Sequence, residues 1–94
     1  MNEEQIKINE AFEKFLRNYL SPEDRKQIAA VYGEQIAEQV RTIYDEALNA
    51  PVDWGSATMD SALDSMHEFL DQKYPWLSPV ARTKINHAFI MVWK

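Results

Sequence analysis

An all-α domain is the fold this sequence predicts. Three observations carry the prediction: four stretches whose apolar residues recur at helical spacing, two Ser-Pro pairs placed as helix starts, and only two Gly and four Pro among 94 residues. A many-stranded sheet needs more turn formers than that. At this length the chain is one domain, and a hydrophobic content of 46%, with three Trp, four Tyr and four Phe, supplies the material for a single core.

The first helix is expected over about residues 4–20, where Ile8, Ala11, Phe12, Phe15, Leu16 and Tyr19 form one apolar stripe and Glu10, Glu13, Lys14 and Arg17 lie outside it. Ser21-Pro22-Glu23-Asp24 then reads as a capping serine, a proline at the first helical position and acids in the first turn. The second helix, about 22–48, carries Ile28, Val31, Tyr32, Ile36, Val40, Ile43 and Ala47, with Glu34, Glu38, Arg41 and Asp45 opposite. Gly33 interrupts it at a cost of about 1 kcal/mol relative to Ala, so a continuous helix is expected, with a break or a close helix crossing as the alternative.

Asn49-Ala50-Pro51 ends that helix, and a loop with Asp53, Trp54 and Gly55 follows. The third helix, about 57–73, presents Met59, Ala62, Leu63, Met66, Phe69 and Leu70, with Ser56 or Thr58 as its cap and Pro75 beyond its end. Ser78-Pro79 starts the fourth, about 78–93, whose buried face is Ala81, Ile85, Ala88, Phe89 and Val92. Four such helices on short connections imply a compact, mostly antiparallel four-helix bundle, although the long loop before the third helix allows a tilted packing. Phe12, Phe15, Ile36, Val40, Leu63, Met66, Phe69, Ile85 and Phe89 are the expected core.

Residues 51–77 hold five acids (Asp53, Asp60, Asp64, Glu68, Asp71) against the single base Lys73, a local net of −4 in a chain of net charge −5. On the third helix Asp60, Asp64, Glu68 and Asp71 fall at i, i+4, i+8 and i+11, one strip, although like charges four apart destabilise a helix by a few tenths of a kcal/mol. Such a strip is either a docking surface for a basic partner or a solvated face. Tyr74, Trp76 and Trp54 flank it, as interface aromatics or as caps on the bundle ends, with Tyr74 the most exposed of the three. His67 borders the strip, three residues after Asp64 and four before Asp71. Without a second Glu-x-x-His pair a metal site is not expected, and a surface histidine is the simpler reading.

The acidic balance argues against nucleic-acid binding, and no apolar run approaches the roughly 18 residues of a membrane span. No Cys is present, which removes disulfides and thiol chemistry and fits a reducing compartment. With no basic, apolar leader at residues 1–7, a cytoplasmic protein is expected. The serines are caps or lie on polar faces, and no nucleophile elbow, phosphate loop or dinucleotide loop occurs, so neither enzyme activity nor a cofactor is expected.

Tyr74-Pro75-Trp76-Leu77-Ser78, followed by Ala81, Ile85, Phe89 and Trp93-Lys94, resembles the ending of small helical immunity proteins that bacteria encode beside secreted toxin domains; the likeness covers about a fifth of the chain. It implies an inhibitor of a cognate toxin, small and cytoplasmic, that covers the basic cleft of a nuclease or a surface beside it. The expected function is therefore a non-enzymatic binding protein, monomeric or weakly dimeric, docking a basic toxin domain through Asp53, Asp60, Asp64, His67, Glu68, Asp71, Tyr74 and Trp76. The rival is a homo-oligomeric structural or regulatory bundle joined through Ile90 to Trp93. An acidic mimic of DNA is a third reading, for which five acids are sparse.

Overall fold

The computed structural model describes residues 2–16, 19–49 and 58–93, with the side chains of Val92 and Trp93 outside that description. The described residues are helical with no strand, in the order α1 (Glu3–Phe15), α2 (Pro22–Tyr32), α3 (Glu34–Leu48), α4 (Met59–Lys73) and α5 (Pro79–Trp93). The all-α class stands, and the expected four helices are five.

The extra helix comes from Gly33. Its φ of 99° and ψ of 158° lie in a region essentially reserved for glycine, and they split the expected second helix into α2 and α3. A Cβ built on Gly33 would meet no heavy atom within 4 Å, so backbone conformation rather than crowding selects glycine. Folding α2 back on α3 lets Ile28 and the Ile36, Val40 and Ile43 face enter one core, a gain that outweighs helix continuity. Val31, expected in the buried stripe, is 62% exposed on α2.

The first helix is shorter than expected. It ends at Phe15, and Leu16 is extended (φ −79°, ψ 121°), which turns the chain while both Leu16 and Leu20 stay buried. Tyr19, expected in the stripe, is 61% exposed. The helix starts behave as the sequence predicts: Ser21 and Asp24 form a reciprocal capping box before Pro22, Thr58 pairs with Ser61 in the same way, and the Ser78 hydroxyl accepts from the Ala81 amide at 3.1 Å.

Helix α3 is the centre of the packing and touches all four other helices; α1 touches α2, α3 and α5, and α4 lies against α3 and α5. Phe12, Val40, Met66, Ile85 and Phe89 are fully buried, and Ile36 nearly so. Phe15, Leu63 and Phe69 are only half-buried at the margin of that core: Phe15 is the last residue of α1, and Leu63 and Phe69 flank the buried Ala62, Met66 and Leu70 line of α4. His67 faces Asn86 and Asp71 faces Arg82, so α4 and α5 run antiparallel. The last turns of α3 and α4 meet through Glu46 and Lys73, so this pair departs from a simple up-and-down arrangement.

Candidate functional site

Helix α4 is held by its Met66 and Leu70 side, which with Ala62 is fully buried, and this aims the opposite side outward. Asp60, Asp64, Glu68 and Asp71 are all exposed there. They are not equivalent. Asp71 pairs with Arg82, which reaches back from α5 and also donates through Nε to the Leu77 carbonyl at 3.0 Å and through its other terminal nitrogen to the Pro75 carbonyl at 3.3 Å. Among the described residues no cation pairs with Asp60, Asp64 or Glu68; Glu68 accepts a weak hydrogen bond from Gln72 at 3.4 Å. Three uncompensated carboxylates thus share one face of α4.

Beside them Ser65, Glu68, Phe69 and Gln72 bound an open depression of about 230 Å³. Its apolar component is the half-buried Phe69 and its charge is Glu68, a combination suited to the aliphatic stem and charged head of a Lys or Arg.

At the C-terminal end of α4 the aromatics are ordered by contacts within the chain. The Tyr74 hydroxyl donates to the Glu46 carboxylate at 3.0 Å, Lys73 pairs with the same carboxylate, and the Lys73 Nζ stands 5.9 Å from the Phe69 ring centroid and 5.6 Å from that of Tyr74. Tyr74 meets Trp76 edge-on, with centroids 5.9 Å apart at 82°. Both rings are half-buried against the core, so Tyr74 is less exposed than the sequence led one to expect. Burial, followed by the Glu46 hydrogen bond and charge, pushes the Tyr74 phenol above its ordinary value, and the Glu46 hydrogen bond holds the Lys73 ammonium above its own.

His67 is not joined to the carboxylates that flank it on α4. Its Nε2 lies 2.9 Å from Asn86 Oδ1 on α5, where the imidazole N–H donates and ties the two helices. Among the described residues no group of three or more potential ligands is arranged to hold a metal ion. Asp53 and Trp54 lie outside the described residues. At the end of α5, Ile90 is half-buried and Met91 is 53% exposed, and the Val92 and Trp93 side chains lie outside the description, so the rival association surface is not outlined.

Three residues that sequence reading passed over organise this end of the molecule: Asn9, Glu46 and Arg82. Asn9, 5% exposed, donates through Nδ2 to the Trp76 carbonyl at 3.1 Å and accepts at Oδ1 from the Ser78 amide at 2.9 Å. The Ser78 hydroxyl donates to Glu13 at 2.7 Å. Together these bonds strap the Tyr74–Ser78 turn onto α1. The signal for Asn9 was available, since it sits next to Ile8 and three residues before Phe12, inside the apolar stripe. Glu46 and Arg82 carried none, because their partners lie on other helices.

No helix among the described residues is long and apolar enough to cross a membrane. Comparison with protein-family models, curated proteins and solved structures finds no match to this chain.

Proposed function

We propose that the chain is a non-enzymatic, cytoplasmic binding protein that docks a basic protein surface through the outward face of α4. The observation that carries this reading is the trio Asp60, Asp64 and Glu68, exposed on one face and without a cation from the described residues, where Asp71 and Glu46 each have one. A face whose own charges repel offers its free energy to an incoming cation, and complementary charge speeds encounter and fixes register. The depression beside Glu68 receives a Lys or Arg side chain of the partner, and the preordered Tyr74 and Trp76 rings supply an apolar rim at little entropic cost.

The partner is in its most concrete form a toxin domain of the nuclease type, the implication of the C-terminal resemblance, with its basic cleft or an adjacent surface covered. The experiment is protection of cells against a toxin domain encoded beside this chain, together with affinity for that domain, by wild type and by Asp60→Lys/Asp64→Lys. The variant should fold, lose protection and lose the salt dependence of association. Full protection with unchanged affinity would show the face to be merely solvated.

A further inference from the structure

The hairpin of α2 and α3 leaves open a surface that the binding face on α4 does not use. One wall is the α2 stripe Pro22, Arg25, Lys26 and Ala29, and the other is the α3 stripe from Glu34 to Arg41 with Ala37 at its centre. Each stripe follows i, i+3, i+4, i+7 spacing, so the two walls face each other along the helix axes around a cavity of about 300 Å³. The alanines keep its floor low and apolar.

Charge is distributed unevenly along this groove. Glu34 adjoins the Gly33 turn, whereas Arg25, Lys26 and Arg41 stand about two helical turns away from it. Arg41 already holds Glu38 at 3.3 Å and Asp45 at 3.8 Å. Among the described residues no carboxylate pairs with Arg25 or Lys26. The far end of the groove therefore carries two uncompensated cations, and the molecule's own uncompensated acids are on α4, which packs on α3 and α5 with that face turned outward. The acids cannot reach the groove of their own chain.

We propose that the groove between α2 and α3 of one copy seats the Asp60, Asp64 and Glu68 face of α4 from a second copy. The lengths agree: Asp60 to Glu68 spans about 12 Å of helix axis and Pro22 to Ala29 about 10 Å. This is a helix-in-groove contact with acids set against cations and apolar atoms against alanine. Because the two surfaces differ, association is head to tail, and the assembly keeps an open groove at one end and an open α4 face at the other. The net charge of −5 opposes it and keeps the contact weak, and the local opposite charges that hold it are screened by salt. It rests on the reading of α4 as a docking face and adds its regulation: a copy whose α4 lies in a groove cannot bind a basic partner, which makes the self-associated form a reserve.

The test is sedimentation velocity on the purified chain, without a partner, from micromolar to about millimolar concentration at low and high salt. Wild type should associate at low salt and become monomeric at high salt. Asp60→Asn/Asp64→Asn and Arg25→Gln/Lys26→Gln should each remain monomeric alone. Mixed, they should form a one-to-one dimer and nothing larger, since each retains one competent surface. A wild-type monomer under all conditions, or association that survives in either variant, overturns the proposal. Arg25→Gln/Lys26→Gln should keep full toxin protection, so failure of self-association and failure of the α4 reading are told apart. Circular dichroism of each variant separates lost contact from lost fold.

Discussion

The Ser78 amide donates to Asn9 Oδ1 at 2.9 Å across 69 positions of sequence, and the same side chain donates to the Trp76 carbonyl. A single buried amide in α1 thereby fixes both ends of the Trp76–Ser78 segment. Asn9→Ala should lower stability by about 1–3 kcal/mol, because it leaves a half-buried N–H and a half-buried C=O short of a partner. Asn9→Leu restores volume without the bonds and should not rescue it. Urea denaturation measures both, and a midpoint equal to wild type for either would contradict this role.

Gly33→Ala should destabilise by about 1–3 kcal/mol, the usual range for an L residue forced into that backbone region. Since nothing crowds the position, D-alanine introduced by chemical synthesis should be tolerated. Thermal melts of the two forms decide it; equal losses would point to sterics instead of backbone conformation.

Alkaline pH should weaken the fold. Burial, chiefly, raises the Tyr44 and Tyr74 phenols above their ordinary value near 10, and Lys73 is raised by its hydrogen bond to Glu46. Below about pH 10 folded and unfolded chains both keep these protons and the contribution is complete. Above it the unfolded chain releases protons that the folded chain retains, and stability falls. Melting temperatures between neutral pH and pH 11 or so should trace this decline. Tyr74→Phe should cost about 1–2 kcal/mol at neutral pH and make the decline shallower.

The acids of α4 should separate in stability as they do in structure. Asp71→Lys sets a cation beside Arg82 and should cost about 1 kcal/mol. Asp60→Lys/Asp64→Lys relieves repulsion four residues apart but removes an acid from the first turn, so it should stay within about 0.5 kcal/mol of wild type. Chemical denaturation of the two variants gives the comparison; equal losses would mean that Asp60 or Asp64 has a partner within the fold.

Helix existence was legible because apolar spacing and Ser-Pro starts are local signals: Ile8, Ala11 and Phe12 are buried as their stripe predicts, and Ser21 and Ser78 both cap. The exposure of the α4 acids followed from the same periodicity. The break at Gly33 was legible only as the alternative to a continuous helix, since a mid-helix glycine costs only about 1 kcal/mol and core formation by α2 against α3 decides the outcome. Partners across helices were equally hidden: His67 was weighed against Asp64 and Asp71 on its own helix and is bonded to Asn86 on the next. Burial depth was overestimated at stripe edges, so Phe12→Ala should cost about 3–5 kcal/mol and the half-buried Phe69 clearly less.

The position of α1 between α2, α3 and α5 bears on how the chain can acquire its fold during translation. Ile8 and Phe12 are made before Ile85 and Phe89, the α5 residues of the same core, which lie more than seventy positions later. α2 and α3 can cover α1 in part as soon as they are made, and its remaining contacts, with α5, wait for residues 79–93. The acidic excess of residues 51–77 is made before α5, so like charges repel between chains whose core still lacks that helix.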